Sequence, residues 1–225
     1  MELYRADLAA MIDHTALGPE VSRDRVVALC DEAKIHSFGA VCINPWLVPL
    51  ANRCLKDSGI AIATVIGFPH GANATEIKAE EAERALSDGA TELDMVLNVA
   101  ALQAGDYRYV ADEIRAVHEV RSKSPKDTRI KVILETALLG DADKRAACIV
   151  AKSAGADFVK TSTGFGPGGA TSEDVALMRE AIGEEMGIKA AGGIKTFDDA
   201  RAMVEAGATR LGASAGADIL EGAPT

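Results

Sequence analysis

The segment Gly155-Ala156-Asp157-Phe158-Val159-Lys160 joins the end of a helical stretch to a short strand-like run. Glycine directly after a helix adopts the left-handed conformation that ends it, and the residues that follow are then free to extend. The same Gly-Ala pair precedes an apolar run at three other places, Gly39-Ala40, Gly89-Ala90 and Gly207-Ala208. The sequence therefore predicts a repeated alternation of helix and strand.

The remaining short apolar runs bring the number of candidate strands to eight, with helical segments between them. The candidate strands lie near residues 11–15, 40–44, 61–67, 92–97, 130–136, 157–161, 188–191 and 209–213. Eight β-α units in 225 residues fit a (β/α)8 barrel at the compact end of its range. An open doubly wound sheet is the rival fold, but no G-x-G-x-x-G motif follows the first strands. We predict a single (β/α)8 TIM barrel over residues 1–225, with an N-terminal helical lead-in.

Charge and apolar patterning disfavour several classes of protein. The chain has 24 Lys and Arg against 34 Asp and Glu, a net charge of −10, which disfavours binding to nucleic acid or anionic lipid. No apolar run approaches the roughly 20 residues that span a bilayer. The first residues show no secretion signal, and the four cysteines form no C-x-x-C pair. We expect a cytoplasmic protein with reduced thiols that binds neither nucleic acid nor membrane.

Three charged residues lie in candidate strands, where barrel enzymes place their chemistry. They are Lys160, Lys189 and Asp94, in the sixth, seventh and fourth strands. Burying two ammonium groups near a carboxylate is costly, and such a cost usually reflects a function. Apolar surroundings and a neighbouring cation lower the pKa of a lysine and free its lone pair. The pattern favours Schiff-base chemistry, with one lysine as the nucleophile and Asp94 moving protons.

A structural explanation of the same lysines stays open. They could form ion pairs with strand carboxylates such as Glu135 or Asp13 and have no part in chemistry. The residues alone also do not say which lysine would be the nucleophile.

Glycine-rich segments follow the last three candidate strands. They are residues 164–169, Gly192-Gly193 and residues 212–216. Loops after the seventh and eighth strands bind phosphate in many barrels, because backbone N–H groups there face the anion. We therefore expect a phosphorylated substrate, although any one of these segments alone could be an ordinary turn.

Metal-ligand spacing is weak in this sequence. The four histidines form neither H-x-H nor H-E-x-x-H, so the residues give only weak support for a zinc or other metal site.

Along almost its whole length the sequence resembles the deoxyribose-phosphate aldolase family. The segments that carry the resemblance are Asp13-His14-Thr15, Val41-Cys42-Ile43-Asn44-Pro45, Ile66-Gly67-Phe68-Pro69-His70-Gly71, Glu92-Leu93-Asp94-Met95-Val96, Phe158-Val159-Lys160-Thr161-Ser162-Thr163-Gly164, Ala191-Gly192-Gly193-Ile194-Lys195-Thr196 and Gly212-Ala213-Ser214. The resemblance implies reversible cleavage of 2-deoxy-D-ribose 5-phosphate into acetaldehyde and D-glyceraldehyde 3-phosphate. It implies that no cofactor and no metal is required, and that the small-molecule partners are sugar phosphates and aldehydes. Barrels of this kind exist as monomers and dimers, so a homodimer is one assembly that the chain could form.

The resemblance also implies a role for each site residue. Lys160 is the Schiff-base nucleophile, Lys189 the cation that lowers its pKa, and Asp94 the acid–base group acting through water. Asp13 helps to hold the proton-transfer network. The expected sugar-phosphate contacts are Thr163, Gly164, Gly192, Gly193 and Ser214.

Two positions depart from some members of that family. Phe165 stands where some have a lysine, and Ala215 where some have a second serine.

Two other functions remain open from the sequence. A cofactor-free sugar-phosphate isomerase or epimerase shares the glycine loops but needs an acid–base pair and not two lysines. A non-catalytic phosphosugar-binding barrel would use the lysines only to neutralise phosphate.

Overall fold

In the computed structural model, which describes residues 3–124 and 127–224, eight parallel strands pair in chain order and close into a barrel. The strands are β1 (Ile12–Ala16), β2 (Ala40–Ile43), β3 (Ala61–Ile66), β4 (Glu92–Val96), β5 (Arg129–Ile133), β6 (Phe158–Lys160), β7 (Gly187–Ala191) and β8 (Arg210–Ala213). The last strand pairs with the first, with Asp13 opposite Gly212. The predicted TIM barrel is confirmed.

Helices connect the strands and surround the barrel. They are α1 (Arg5–Met11), α2 (Arg23–His36), α3 (Val48–Cys54), α4 (Thr75–Asp88), α5 (Val99–Gln103), α6 (Tyr107–Ser122), α7 (Asp141–Ser153), α8 (Ser172–Ile182), α9 (Phe197–Glu205) and α10 (Gly216–Glu221). Helix α1 precedes β1 and is the predicted helical lead-in. None of the helices in the described residues is long and apolar enough to cross a membrane.

The helix-to-strand junctions follow the predicted glycine pattern at three of four places. Gly89, Gly155 and Gly207 have positive φ angles of 119°, 91° and 114°. At the fourth place the expectation was wrong, because Ser37 adopts the left-handed conformation that ends α2. Gly39 is needed for another reason, since a Cβ there would lie 2.2 Å from the carbonyl oxygen of Ala10.

The apolar core lies between the outer face of the sheet and the helices. On α6, Val110, Ile114 and Val117 recur at helical spacing and are all fully buried. The apolar part of the barrel interior is a smaller cluster around Cys42 and Ala63. Charged side chains occupy much of the remaining interior, and these form the site described below.

A buried ion pair joins two helices to the end of β4. The Nζ atom of Lys78 on α4 lies 2.5 Å from the Glu113 carboxylate on α6, and both side chains are fully buried. The Lys78 ammonium also donates to the carbonyl oxygen of Val96 at 2.9 Å, and the backbone N–H of Asn98 donates to Glu113 at 2.7 Å. The pair therefore holds the carboxyl end of β4, two residues after Asp94, against the helices.

Replacing Lys78 by methionine should destabilise the fold strongly. Removal of one partner leaves the Glu113 carboxylate buried without its cation, a change that costs about 3–5 kcal/mol. Urea denaturation would measure the loss. Arg84→Met on the same helix is the matched control, because Arg84 pairs with Asp88 in solvent and its loss should leave the unfolding midpoint nearly unchanged. Equal midpoints for the two variants would contradict this account.

Candidate active site

The structure brings Lys160, Lys189 and Asp94 together inside the barrel. One carboxylate oxygen of Asp94, Oδ2, lies 2.9 Å from Nζ of Lys160 and 2.7 Å from Nζ of Lys189. All three side chains are buried. The two lysines are opposite each other in the β6–β7 register, so they leave the sheet on the same side. Asp94 reaches them from β4 across the barrel.

Asp13 lies in the same cluster and not on an open surface. Its carboxylate accepts hydrogen bonds from Lys189 and from the guanidinium of Arg210. Lys189 thus lies between Asp13 and Asp94. Gly212 makes room for it, since a Cβ at that position would lie 3.0 Å from Cε of Lys189.

Three further residues belong to this cluster and were not predicted from the sequence: Lys131, Glu92 and Arg210. The Nζ atom of Lys131 lies 2.7 Å from Oδ1 of Asp94 and 2.5 Å from Glu92. Arg210 Nη2 donates to both Glu92 oxygens, at 2.8 and 3.0 Å. A signal was available, because Glu92 is two residues before Asp94 and so faces the same side of its strand. Lys131 is opposite Asp94 in the β4–β5 register.

Cations outnumber carboxylates in the cluster. Among the described residues that belong to it, the cations are Lys131, Lys160, Lys189 and Arg210, and the carboxylates are Asp13, Glu92 and Asp94. Every member is buried, so solvent screens these charges weakly. One positive charge in excess of the carboxylates favours loss of one proton from a lysine.

Of the three lysines in the cluster, Lys160 is the one whose surroundings favour loss of its proton. Burial lowers its pKa below the ordinary 10.5, Lys189 lowers it further, and Asp94 opposes them without overcoming the shift. Burial also disfavours charge on Lys189, but Asp13 and Asp94 outweigh it and raise the pKa of that lysine. The pKa of Lys131 is raised in the same way by Asp94 and Asp13. The environment thus separates lysines that the sequence could not rank.

A cavity of about 260 Å³ lies above the cluster, at the carboxyl ends of the strands. The predicted residues that line it are Lys160, Thr163, Gly164, Gly192, Gly193 and Ser214. Lys195 and Phe165, which were not predicted as contacts, line it as well. Lys160 is the member of the charged cluster that reaches the cavity wall, and Lys189, Asp94 and Asp13 lie beneath it.

Two glycine-rich loops form one wall of the cavity by direct contact of their main chains. The N–H of Ala170 donates to the carbonyl oxygens of Ala191 and Gly192, at 3.1 and 3.0 Å. A Cβ on Gly169 would lie 2.3 Å from the carbonyl oxygen of Gly192, so a side chain there would push the loops apart. The glycines are therefore required for the shape of the cavity.

Glu135 holds Thr163 in place from behind the cavity wall. The predicted fifth strand ran to residue 136, but Glu135 has a φ of 56° and ends the extended chain. Its buried carboxylate accepts from the N–H of Thr163 at 3.3 Å and from the hydroxyl of the same residue. Of the two carboxylates considered as lysine partners, Asp13 pairs with Lys189, whereas Glu135 bonds to Thr163.

No group of three or more His, Cys, Asp or Glu side chains suited to a metal ion occurs in residues 3–124 and 127–224. Cys42 is buried beneath the cavity, and burial raises the pKa of its thiol.

Comparison with known proteins agrees with this geometry. The model of the DeoC/LacD family of aldolases matches residues 8–222. The chain belongs to this family. The deoxyribose-phosphate aldolase of Caldanaerobacter subterraneus subsp. tengcongensis is 54% identical over 215 residues, which are 96% of this chain and 93% of that protein. For the deoxyribose-phosphate aldolase of Thermococcus kodakarensis the identity is 52% over 224 residues, 99% of each chain.

A solved aldolase structure has the same fold. The deoxyribose phosphate aldolase of Aeropyrum pernix, described as a unique tetramer, superposes with a TM-score of 0.90 at 32% identity, over 96% of this chain and 91% of that chain. The family resemblance inferred from the sequence motifs is therefore confirmed.

This aldolase should lose stability at acid pH through its charged cluster. The neighbouring lysines hold the pKa of Asp94 well below the ordinary 3.8 despite burial, which opposes ionisation. The carboxylate therefore contributes its full stabilisation above about pH 4, and the contribution falls as the pH drops toward the lower pKa of the folded state. Urea denaturation at pH 7, 5, 4 and 3 would measure this. A free energy of unfolding that stays constant from pH 5 to pH 3 would contradict it.

Proposed function

We propose that this aldolase reversibly cleaves 2-deoxy-D-ribose 5-phosphate into acetaldehyde and D-glyceraldehyde 3-phosphate, through a Schiff base on Lys160. One observation carries the assignment: of the three lysines in the charged cluster, Lys160 is the one that lines the cavity and the one whose pKa is lowered. The named relatives, aldolases of this substrate with more than half of their residues identical, support the same reaction.

The reaction begins with the neutral amine of Lys160. It attacks the C1 carbonyl carbon of the open-chain sugar phosphate, and loss of water leaves an iminium ion. The C3 hydroxyl then gives up its proton, the C2–C3 bond breaks, and its electron pair moves to C2 and the nitrogen to form an enamine. D-glyceraldehyde 3-phosphate leaves. Protonation of the enamine at C2 and addition of water release acetaldehyde and restore the Lys160 amine.

Lys189 and Asp94 support these steps from below Lys160. Lys189 stays charged because two carboxylates hold its proton, so it is a fixed cation beside the reacting amine. Asp94 is a weak base while three lysines surround it. We therefore assign proton transfer to the Asp94–Lys189 pair acting through water, with Asp13 as the residue that positions Lys189.

The phosphate group fits the glycine-lined end of the cavity. Gly192 and Gly193 have φ angles of 87° and 84°, conformations that expose backbone N–H groups without a side chain in the way. Ser214 adds a hydroxyl, and Lys195 brings a second cation to the wall. Phe165 packs edge-on against Phe68, with ring centroids 5.3 Å apart. Where some family members have a lysine, this chain therefore presents the apolar side chain of Phe165.

The homodimer and the cytoplasmic location expected from the sequence remain proposals. The Aeropyrum pernix relative is described as a tetramer.

Reductive trapping tests the function directly. Incubation with acetaldehyde and borohydride should leave a single stable amine adduct on Lys160, identified by peptide mass spectrometry. Lys160→Arg should abolish both the adduct and turnover of deoxyribose 5-phosphate while the protein stays folded. Lys34→Arg, at an exposed lysine paired with Asp31, is the control and should retain both.

Other outcomes would each change the assignment. An adduct on Lys189 would reverse the roles of the two lysines. Absence of any adduct on folded protein would favour the isomerase if the sugar phosphate is interconverted without release of acetaldehyde, or the binding barrel if it is bound unchanged.

Lys195→Met should weaken binding of the phosphorylated substrate. Loss of one charged contact to phosphate is expected to raise KM by roughly tenfold, with a smaller effect on kcat, because the contact exists in both the ground and transition states. Steady-state kinetics would separate the two constants, with Lys195→Arg as the control that keeps the charge. An unchanged KM would remove Lys195 from the phosphate site.

A further inference from the structure

A second layer of charge lies below the reacting lysine, at the amino ends of the strands. Glu92 precedes Asp94 by two residues on β4, and Arg210 precedes Gly212 by two on β8, so both side chains face the barrel interior one layer lower. A cavity of about 300 Å³ at this end is lined by Glu92 and Arg210 together with Thr91 and Arg129. Glu92 and Arg210 therefore lie at the face of the barrel opposite the substrate cavity.

Two chains of ion pairs connect the lower layer to Lys160. In the first, Glu92 contacts Lys131 at 2.5 Å, Lys131 contacts Asp94 at 2.7 Å, and Asp94 contacts Lys160 at 2.9 Å. In the second, Arg210 binds Asp13, Asp13 binds Lys189, and Lys189 shares Oδ2 of Asp94 with Lys160.

The intervening side chains are all buried, so no layer of water separates the lower charges from the upper ones. Lys131, Lys189, Asp13 and Asp94 are each fully buried. Charges that interact through such an interior are attenuated less by solvent and salt than charges on a surface.

We propose that Glu92 and Arg210 are positioning residues that set, from the far face of the barrel, the charge balance in which Lys160 gives up its proton. The proposal rests on the proposed Schiff-base role of Lys160. Glu92 neutralises Lys131, and Arg210 holds Asp13 and Glu92 in place. Removal of the charge of Glu92 or of Arg210 therefore changes the net charge around Lys160. Neither residue touches the substrate cavity.

The other groups around Lys160 are the same in every variant of the test below. Asp94 faces it from β4, Lys189 from β7 and the Cys42 thiol from β2, with Lys131 behind Asp94 on β5. A change in the protonation of Lys160 would therefore originate in the lower layer.

The test is the pH dependence of trapping at Lys160 by acetaldehyde and cyanoborohydride. Only the neutral amine reacts, so the acid limb of the rate reports the protonation of this one residue. Glu92→Gln removes a negative charge and should move the midpoint of the acid limb of the trapping rate to lower pH by about 0.5–1 unit. Arg210→Met removes a positive charge and should move it to higher pH by a similar amount.

Controls separate this effect from general damage. Arg129→Met and Asp127→Asn change charges that line the same cavity but are exposed, and each should move the limb by less than about 0.2 unit. Arg210→Lys keeps the charge and should restore most of the wild-type profile. Circular dichroism establishes that each variant is folded.

The double variant Glu92→Gln/Arg210→Met tests whether the two single shifts are opposite in sign and similar in size. It removes one charge of each sign, so its limb should lie close to that of the wild type. Shifts of the two single variants in the same direction, no shift in either, or a double variant displaced by more than about 0.5 unit would overturn the proposal. Absence of trapping at Lys160 in the wild type would instead defeat the proposed function, so the two failures are distinguishable.

Discussion

The carboxylate of Asp94 is the interaction on which the rest of the site depends. Its two oxygens hold Lys131 on one side and Lys160 and Lys189 on the other, all in the closed interior of the barrel. Without this negative charge, three ammonium groups would repel one another in a region that water does not reach. With it, two of the lysines keep their protons and the third, at the cavity wall, is the one placed to lose its proton. Asp94 thereby offsets the cost of burying three lysines, and the second carboxylate that Lys189 contacts, that of Asp13, makes it chemically different from Lys160.

The barrel divides stability and chemistry between two regions. The apolar core lies outside the sheet, where helices such as α6 and α8 bury continuous stripes. The interior of the sheet, which in many barrels is filled with branched apolar residues, is here given largely to ions and a small apolar cluster. Hydrophobic burial around the outside offsets the cost of the charged interior. The Lys78–Glu113 pair is the point where the two regions meet, because it holds the end of β4 that carries Asp94.

Local patterns predicted the strands and the main site residues well, because Gly-Ala junctions and short apolar runs are properties of neighbouring residues. All eight strands were placed with their ends within three residues of the structure. Glu92 was missed although its spacing from Asp94 on one strand was a local signal, whereas the contacts of Lys131 and Arg210 with the cluster depend on pairing between strands far apart in sequence. The predicted end of β5 was also wrong, since Glu135 adopts a left-handed backbone and its carboxylate bonds to Thr163, and no local pattern encodes either feature. The sequence also could not say whether Lys160 or Lys189 loses its proton more easily, because that order depends on burial and on the charges around each lysine in the fold.

The closure of β8 onto β1 has a consequence for the growing chain. Asp13 meets Lys189 and Arg210 across 176 and 197 residues of sequence, so the cluster is completed only when the last strand takes its place beside the first. Before that, Lys160 is a solvated lysine of ordinary basicity, almost fully protonated at neutral pH and no more attractive to aldehydes than any other. An unfinished or unfolded copy of this protein is thus protected from premature modification at Lys160 by the aldehydes that the folded enzyme handles. Closure of the barrel is therefore what assembles the surroundings that activate the Lys160 amine.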